Sequence, residues 1–169
     1  MRGAVLYGPG DLRFEDRAAP AIAKPTDAII RIAATCVCGS DLWPYRGLQP
    51  AAEPTPMGHE YCGILEEIGK EVTSVKPGQF VIGSFFASDN TCPHCHAGYH
   101  TSCRQKEFVG GAQAPLLRVP LADGTLVATP EIPSGDRRTQ WSSPASLSMP
   151  IRSCSAQRRS ENSRKNEAP

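Results

Sequence analysis

The chain has 169 residues, 40% of them apolar and 21% charged, with a formal net charge of +1. That balance fits a soluble globular protein and excludes the basic footprint of a nucleic-acid binder. No window of about 18 apolar residues exists to cross a membrane, and the start, Met1 to Gly8, lacks the apolar core of a secretory signal. A cytoplasmic location is therefore expected, in which seven cysteines point to metal binding or catalysis more than to disulfides.

Sixteen prolines and fifteen glycines favour short strands and loops over long helices. Ala4-Val5-Leu6-Tyr7 and Leu12-Arg13-Phe14-Glu15 flank the turn residues Gly8-Pro9-Gly10-Asp11 and predict a hairpin-like pair. Ala28 to Ala34 is a β-rich run with a buried face, and Gly63 to Gly69 is a second, bounded by glycines. Lys76-Pro77-Gly78 predicts a turn before a strand at Phe80 to Gly83. Strands follow at Leu116 to Val119 and, past a turn at Asp123-Gly124, at Thr125 to Ala128. Many short strands with regular turn signals predict a mainly β fold, a small barrel or sandwich. No internal repeat is present.

After Pro133 the composition changes. Residues 134–169 are dominated by serine, arginine and proline, and Trp141, Leu147, Met149 and Ile151 follow no helical or strand period. Such a segment buries too little surface to offset its ordering entropy, so a disordered tail is expected.

Three motifs carry chemistry. Cys38-Gly39-Ser40-Asp41 follows the apolar run directly, which places a thiol where a strand opens into a loop and suits a ligand or a nucleophile. A buried free cysteine is the plain alternative, and Cys36 is read as core. His59-Glu60 offers an imidazole and a carboxylate side by side, both workable zinc ligands, or else a solvated surface pair. The stretch from Ser88 to Cys103 contains Cys92-Pro93-His94-Cys95, a C-x-x-C that would suit a thiol–disulfide catalyst. That reading needs a core strand before Cys92 and a helix starting at it, whereas Asp89-Asn90-Thr91 and Gly98 read as loop.

Taken in order, Cys38-Gly39-Ser40-Asp41, Gly58-His59-Glu60 with Gly63 and Gly69, Val75-Lys76-Pro77-Gly78, the cysteine-rich loop and Val119 to Thr125 resemble the zinc-dependent medium-chain alcohol dehydrogenases. The likeness runs from Met1 to about Pro133. It implies that family's N-terminal catalytic domain, a partly open GroES-like β-barrel with short helices and a zinc loop over 1–133, followed by the tail.

The resemblance also implies roles. Cys38 and His59 correspond to ligands of a catalytic Zn2+, with Glu60 beside the metal. Ser40 corresponds to the hydroxyl that passes the substrate proton outward, and Asp41 to the carboxylate that orients the liganding histidine. Where the family often carries a relay histidine this chain has Trp43, and Trp43 and Tyr45 are expected to line a substrate pocket. Cys92, Cys95 and Cys103 match three ligands of the family's structural Zn2+. Asp89 stands where the fourth ligand is usually a cysteine, and His94, His96 and His100 rank below it.

The implied activity is oxidation of an alcohol, or reduction of an aldehyde or ketone, with NAD or NADP, in a homo-oligomer. The family's third catalytic zinc ligand lies just beyond Pro133, where neither Glu131 nor Asp136 sits in a recognisable motif. No G-x-G-x-x-G occurs to hold a dinucleotide, so this fragment is expected to be inactive alone. The break at Ser134 reads as translation in a shifted frame, which sequencing the gene would test. A zinc-binding structural or interaction module without catalysis, and a thiol–disulfide oxidoreductase using Cys92 and Cys95, are the rival functions.

Overall fold

Two short strand-forming runs around a turn build a hairpin from the first sixteen residues. In the computed structural model, which describes residues 1–49 and 54–130, β1 (Arg2–Gly8) pairs antiparallel with β2 (Asp11–Asp16) across a turn at Pro9-Gly10. Gly10 takes a φ of 75°, a left-handed conformation that costs glycine nothing. A two-residue strand, β4 (Thr55–Pro56), extends this sheet along the other edge of β1.

The long apolar runs form the main sheet. It is five strands wide, in the order β10 (Leu126–Ala128), β6 (Phe80–Gly83), β5 (Glu60–Ile68), β3 (Ala28–Cys36), β9 (Leu116–Val119), with every pairing antiparallel. One face closes over a core in which Ile30, Leu65, Val81 and Val119 are fully buried. Each such side chain contributes about 1.5–3 kcal/mol relative to an exposed one. A third sheet is a short ribbon of β7 (Phe86–Ala87) and β8 (Glu107–Phe108).

The helices are single turns: α1 (Leu42–Tyr45), α2 (Pro93–His96) and α3 (Ala122–Thr125). Three small sheets and one-turn helices make a mainly β fold that does not close into a barrel. Among the described residues no helix is long and apolar enough to cross a membrane. The expected tail, 134–169, lies outside the described residues, as do Glu131 and Asp136.

The strand expectations hold for the hairpin, β3, β6 and β9. Three details differ. β5 starts at Glu60, three residues earlier than its glycine-bounded core suggested, because Tyr61 turns into the interior at 6% exposure and its hydroxyl donates to Ser84 O at 2.9 Å. Thr125 belongs to the α3 turn and not to the last strand, because its buried hydroxyl donates back to Leu121 O at 2.8 Å. Cys36 is half-buried and not core, since the buried pattern of β3 stops after Ala33.

A charged group braces the sheet edge. Asp27 is wholly buried, and its Oδ2 accepts from the N–H groups of Ala23 (3.1 Å) and Lys24 (2.8 Å) and from Arg118 Nη1 (2.7 Å). A buried carboxylate is tolerable only with such partners.

Candidate metal centres

The first centre is created by strand pairing. β3 and β5 run antiparallel with Cys36 opposite Glu60, so the end of β3 and the start of β5 meet at one edge of the sheet. Cys38 leaves β3 there and stands at the head of a tight helical turn, Gly39–Asp41. His59 enters β5 there. The Gly58 before it has a φ of 92°, and a Cβ at that position would lie 2.6 Å from Gln113 Cγ. Only glycine fits. The backbone is held by Gln113 N–H to Met57 O and Ala112 N–H to Gly58 O, both 3.0 Å.

The result is a compact donor set. One ligand atom each from Cys38, His59 and Glu60 lies within 4.8 Å of the others. Asp41 fixes the geometry from beneath: its Oδ1 is 3.2 Å from His59 Nδ1 and its Oδ2 accepts the Cys38 N–H at 2.9 Å. With Nδ1 engaged, Nε2 is the atom left to coordinate a metal. Ser40 Oγ lies 3.2 Å from that Nε2. A thiol, an imidazole and a carboxylate whose orienting carboxylate is already in place suit Zn2+ with positions still open.

Aromatic rings wall this centre. Phe85 packs edge-on against the His59 ring at 5.6 Å and Phe108 tilts against it at 5.8 Å. Both come from the β7–β8 ribbon or its flank, where Phe86 pairs with Phe108. Trp43 and Tyr45, the expected pocket residues, are exposed on α1. The Phe85-Phe86 pair was visible in sequence, but its pairing with Phe108 depends on two-residue strands that leave no periodic signal.

The second centre is the loop from Asp89 to Cys103. Cys92, Cys95 and Cys103 are buried and form a cluster of their own. With an Asp89 oxygen they place four donors within 4.8 Å of one another. The Cys92 and Cys95 sulfurs are 3.6 Å apart. Zinc–sulfur bonds of about 2.3 Å in a tetrahedron set neighbouring sulfurs about 3.8 Å apart, so the spacing fits a shared ion.

Local hydrogen bonds prepare the donors. Asp89 Oδ1 accepts N–H from Thr91 (2.9 Å) and Cys92 (3.0 Å), which hold the carboxyl far below the usual carboxylate range. Backbone N–H groups of Arg104 and Cys95 bring the Cys92 thiol down to about 7. Burial pushes the Cys95 thiol up, and neighbouring Cys92, Asp89 and Cys103 add to that. Cys103 Sγ accepts N–H from Asp89 and Gln105, each at 3.3 Å. A coordinated cation would deprotonate such thiols outright.

One expectation about this loop changes. Cys92 caps one turn of helix, α2, where the sequence read as loop. Pro93 sets the first helical φ, and Gly98, at a φ of 86°, follows soon after the turn ends. None of the three loop histidines joins the four donors. His100 Nδ1 faces Ser88 Oγ at 3.3 Å, and His94 Nδ1 faces Ser102 O.

The Alcohol dehydrogenase GroES-like domain family matches residues 24–131. The zinc-type alcohol dehydrogenase B of Aspergillus flavus is 36% identical over 136 residues, covering 78% of this chain and 32% of that protein. An alcohol dehydrogenase of Cupriavidus necator is 32% identical over 154 residues, covering 78% and 41%. Among solved structures, alcohol dehydrogenase TADH from Thermus sp. ATN1 superposes with a TM-score of 0.73 at 31% identity, covering 78% of this chain and 40% of that one. Zinc dependent alcohol dehydrogenase 2 of Streptococcus pneumonia gives 0.71 at 39% identity, covering 78% and 39%. The chain spans less than half the length of each of these relatives.

Proposed function

This chain belongs to the zinc-type alcohol dehydrogenase family, whose GroES-like domain it carries, and from that premise we propose that it forms the substrate-activating, zinc-holding part of an NAD(P)-linked alcohol dehydrogenase. The observation that carries this reading is the convergence of Cys38, His59 and Glu60 donors within 4.8 Å, with Asp41 already on His59 Nδ1.

Cys38 Sγ and His59 Nε2 would hold the ion, and Glu60 would lie beside it. Bound zinc supplies Lewis acidity that lowers the pKa of an alcohol hydroxyl. Ser40 Oγ, 3.2 Å from His59 Nε2, is placed to take the hydroxyl proton. Asp41 keeps the imidazole in one tautomer and one orientation. Phe85 and Phe108 set two partly exposed apolar rings against the His59 ring. Asp89, Cys92, Cys95 and Cys103 would hold a second, structural zinc. Neither set overlaps the other. The third catalytic ligand is not assigned to any residue of 1–130.

NAD or NADP is the expected hydride acceptor of the whole enzyme. The 169 residues contain no G-x-G-x-x-G turn, so the chain alone is proposed to bind an alcohol or a carbonyl compound without turning it over. Cobalt in place of zinc tests this through its visible spectrum. Adding an alcohol should perturb the cobalt bands of the chain and leave those of His59→Ala unchanged, with no NADH formed in either. Equal perturbation in both, or robust NADH formation by the chain alone, would overturn the reading.

A further inference from the structure

A half-open cavity of about 350 Å3 that Phe108 also borders is lined by Arg17, Val109, Gly111, Leu116, Leu117 and Arg118. Its size is at the lower end of small-molecule sites, about 300–1,000 Å3. The wall is about equally polar and apolar, and its positive groups are Arg17, Arg118 and the α-amino group of Met1.

Arg17 differs from the other half-buried arginines. Arg31 pairs with Glu66 at 2.6 Å, and Arg118 pairs with Asp27 at 2.7 Å and Glu107 at 3.8 Å. Among the described residues no carboxylate closes on Arg17, and its Nη1 is shut away from solvent without a hydrogen-bond partner. Lys24 and Arg118 share the two carboxylates Asp27 and Glu107. Among the described residues neither Arg17 nor the neighbouring Met1 α-amino group, which donates to Arg17 O at 2.8 Å, pairs with a carboxylate.

The guanidinium is also given room. A Cβ at Gly3 would lie 3.0 Å from Nη1, and one at Gly111 would lie 2.9 Å from Nη2. Two glycines, from β1 and from the loop after β8, make a slot that any side chain would fill. The cavity borders this guanidinium and is where a countercharge can reach it. Burial also holds the Arg17 guanidinium below its ordinary range, consistent with a cation that lacks a partner.

We propose that the Arg17–Gly3–Gly111 slot and its cavity bind a small apolar monocarboxylate. A planar carboxylate matches the planar fork of a guanidinium, its negative charge matches Arg17 and the Met1 α-amino group beside it, and a compact apolar body matches Val109, Leu116 and Leu117. The site shares only Phe108 with the metal centre and does not depend on the dehydrogenase reading.

Benzoate is the probe, followed by ligand-observed NMR and calorimetry on the full chain. Saturable one-to-one binding is expected, at least tenfold weaker in Arg17→Gln and unchanged in Cys38→Ser. The second variant separates this site from benzoate held at a Cys38 metal. Neutral benzamide should bind at least tenfold more weakly to the unaltered chain, a comparison that needs no variant to fold. Equal binding of benzoate and benzamide, equal binding in Arg17→Gln, loss of binding in Cys38→Ser, or no saturable binding would each overturn the proposal.

Discussion

Asp41 and His59 are joined through a carboxylate oxygen 3.2 Å from Nδ1, while the other oxygen of the same carboxylate accepts the Cys38 N–H at 2.9 Å. One side chain therefore sets the orientation of two donors that approach the metal site from different strands. Removing its charge loosens both at once. Asp41→Asn should lower zinc affinity at this centre by about 10–100-fold, read by competition with a chromogenic chelator. An affinity within twofold of the unaltered chain would mean that the carboxylate plays no part in holding the ligands.

The two donor sets share no residue, which makes zinc stoichiometry a direct count of centres. The zinc-loaded chain should carry two ions after gel filtration. Cys38→Ser should carry one, because a hydroxyl is a far weaker zinc ligand than a thiolate. Elemental analysis reads the result. Two ions retained in the variant would remove Cys38 from the ligand set.

Much of this arrangement was legible in the sequence, for physical reasons that differ by residue. The β3 run is apolar and closes over the core, so its apolar, β-rich content gave the strand, and with it the position of Cys38 just past the strand end. Cys92, Cys95 and Cys103 were legible because short spacing alone forces their sulfurs together. Phe108 was not. It reaches His59 through β7 and β8, two residues each, whose pairing joins segments some twenty residues apart. Arg17 was invisible for a related reason: its slot is made by Gly3 and Gly111, and nothing local to Arg17 announces them. Pro93 after Cys92 was a helix-start signal present in the sequence but outweighed by the glycine and asparagine around it.

Asp123 is one residue through which pH should act on the fold. Burial works against its charged form. The N–H and hydroxyl groups of Ser74 (2.8 and 2.7 Å) and Thr73 (2.9 and 2.9 Å) outweigh that burial and hold its pKa below the ordinary value of 3.8. A carboxylate with a depressed folded pKa contributes stability that is present above its unfolded pKa and lost as pH falls through the folded one. Asp123→Asn should therefore unfold at lower urea at pH 7, by about 1 kcal/mol. The gap should shrink as pH falls below about 3.8. A gap that stays constant down to pH 2 would show that charge on Asp123 is not what the Ser74 and Thr73 donors recognise.

Arg118 and Asp27 test the edge of the main sheet. Asp27 is wholly buried, while Arg118 keeps 31% of its side chain exposed. Arg118→Met leaves the carboxylate with two N–H donors and no countercharge. The expected loss is about 3 kcal/mol, the lower end of the range for breaking a buried pair, because Arg118 is partly solvated. The double variant Asp27→Leu with Arg118→Met should recover part of that loss in urea unfolding, since it removes the stranded charge. A double variant no more stable than Arg118→Met would place the cost in packing.

Asp89 occupies the corner of the loop where a fourth thiolate would otherwise stand, and its Oδ1 is already engaged by the N–H groups of Thr91 and Cys92. Those bonds aim the carboxylate, so that its contact with the buried thiols is set before any metal arrives. Three thiolates and one carboxylate bind zinc less tightly than four thiolates. Asp89→Cys should therefore hold the loop zinc at least as well as the unaltered chain. Asp89→Ala removes both the ligand and the turn it organises, and should release that zinc at least tenfold faster to a chelator. The Cys38 centre, which shares no donor with the loop, should keep its zinc in both variants. Chelator-release kinetics on the Cys38→Ser background isolate the loop ion, and equal release from Asp89→Ala and the unaltered loop would leave three cysteines as the complete protein ligand set.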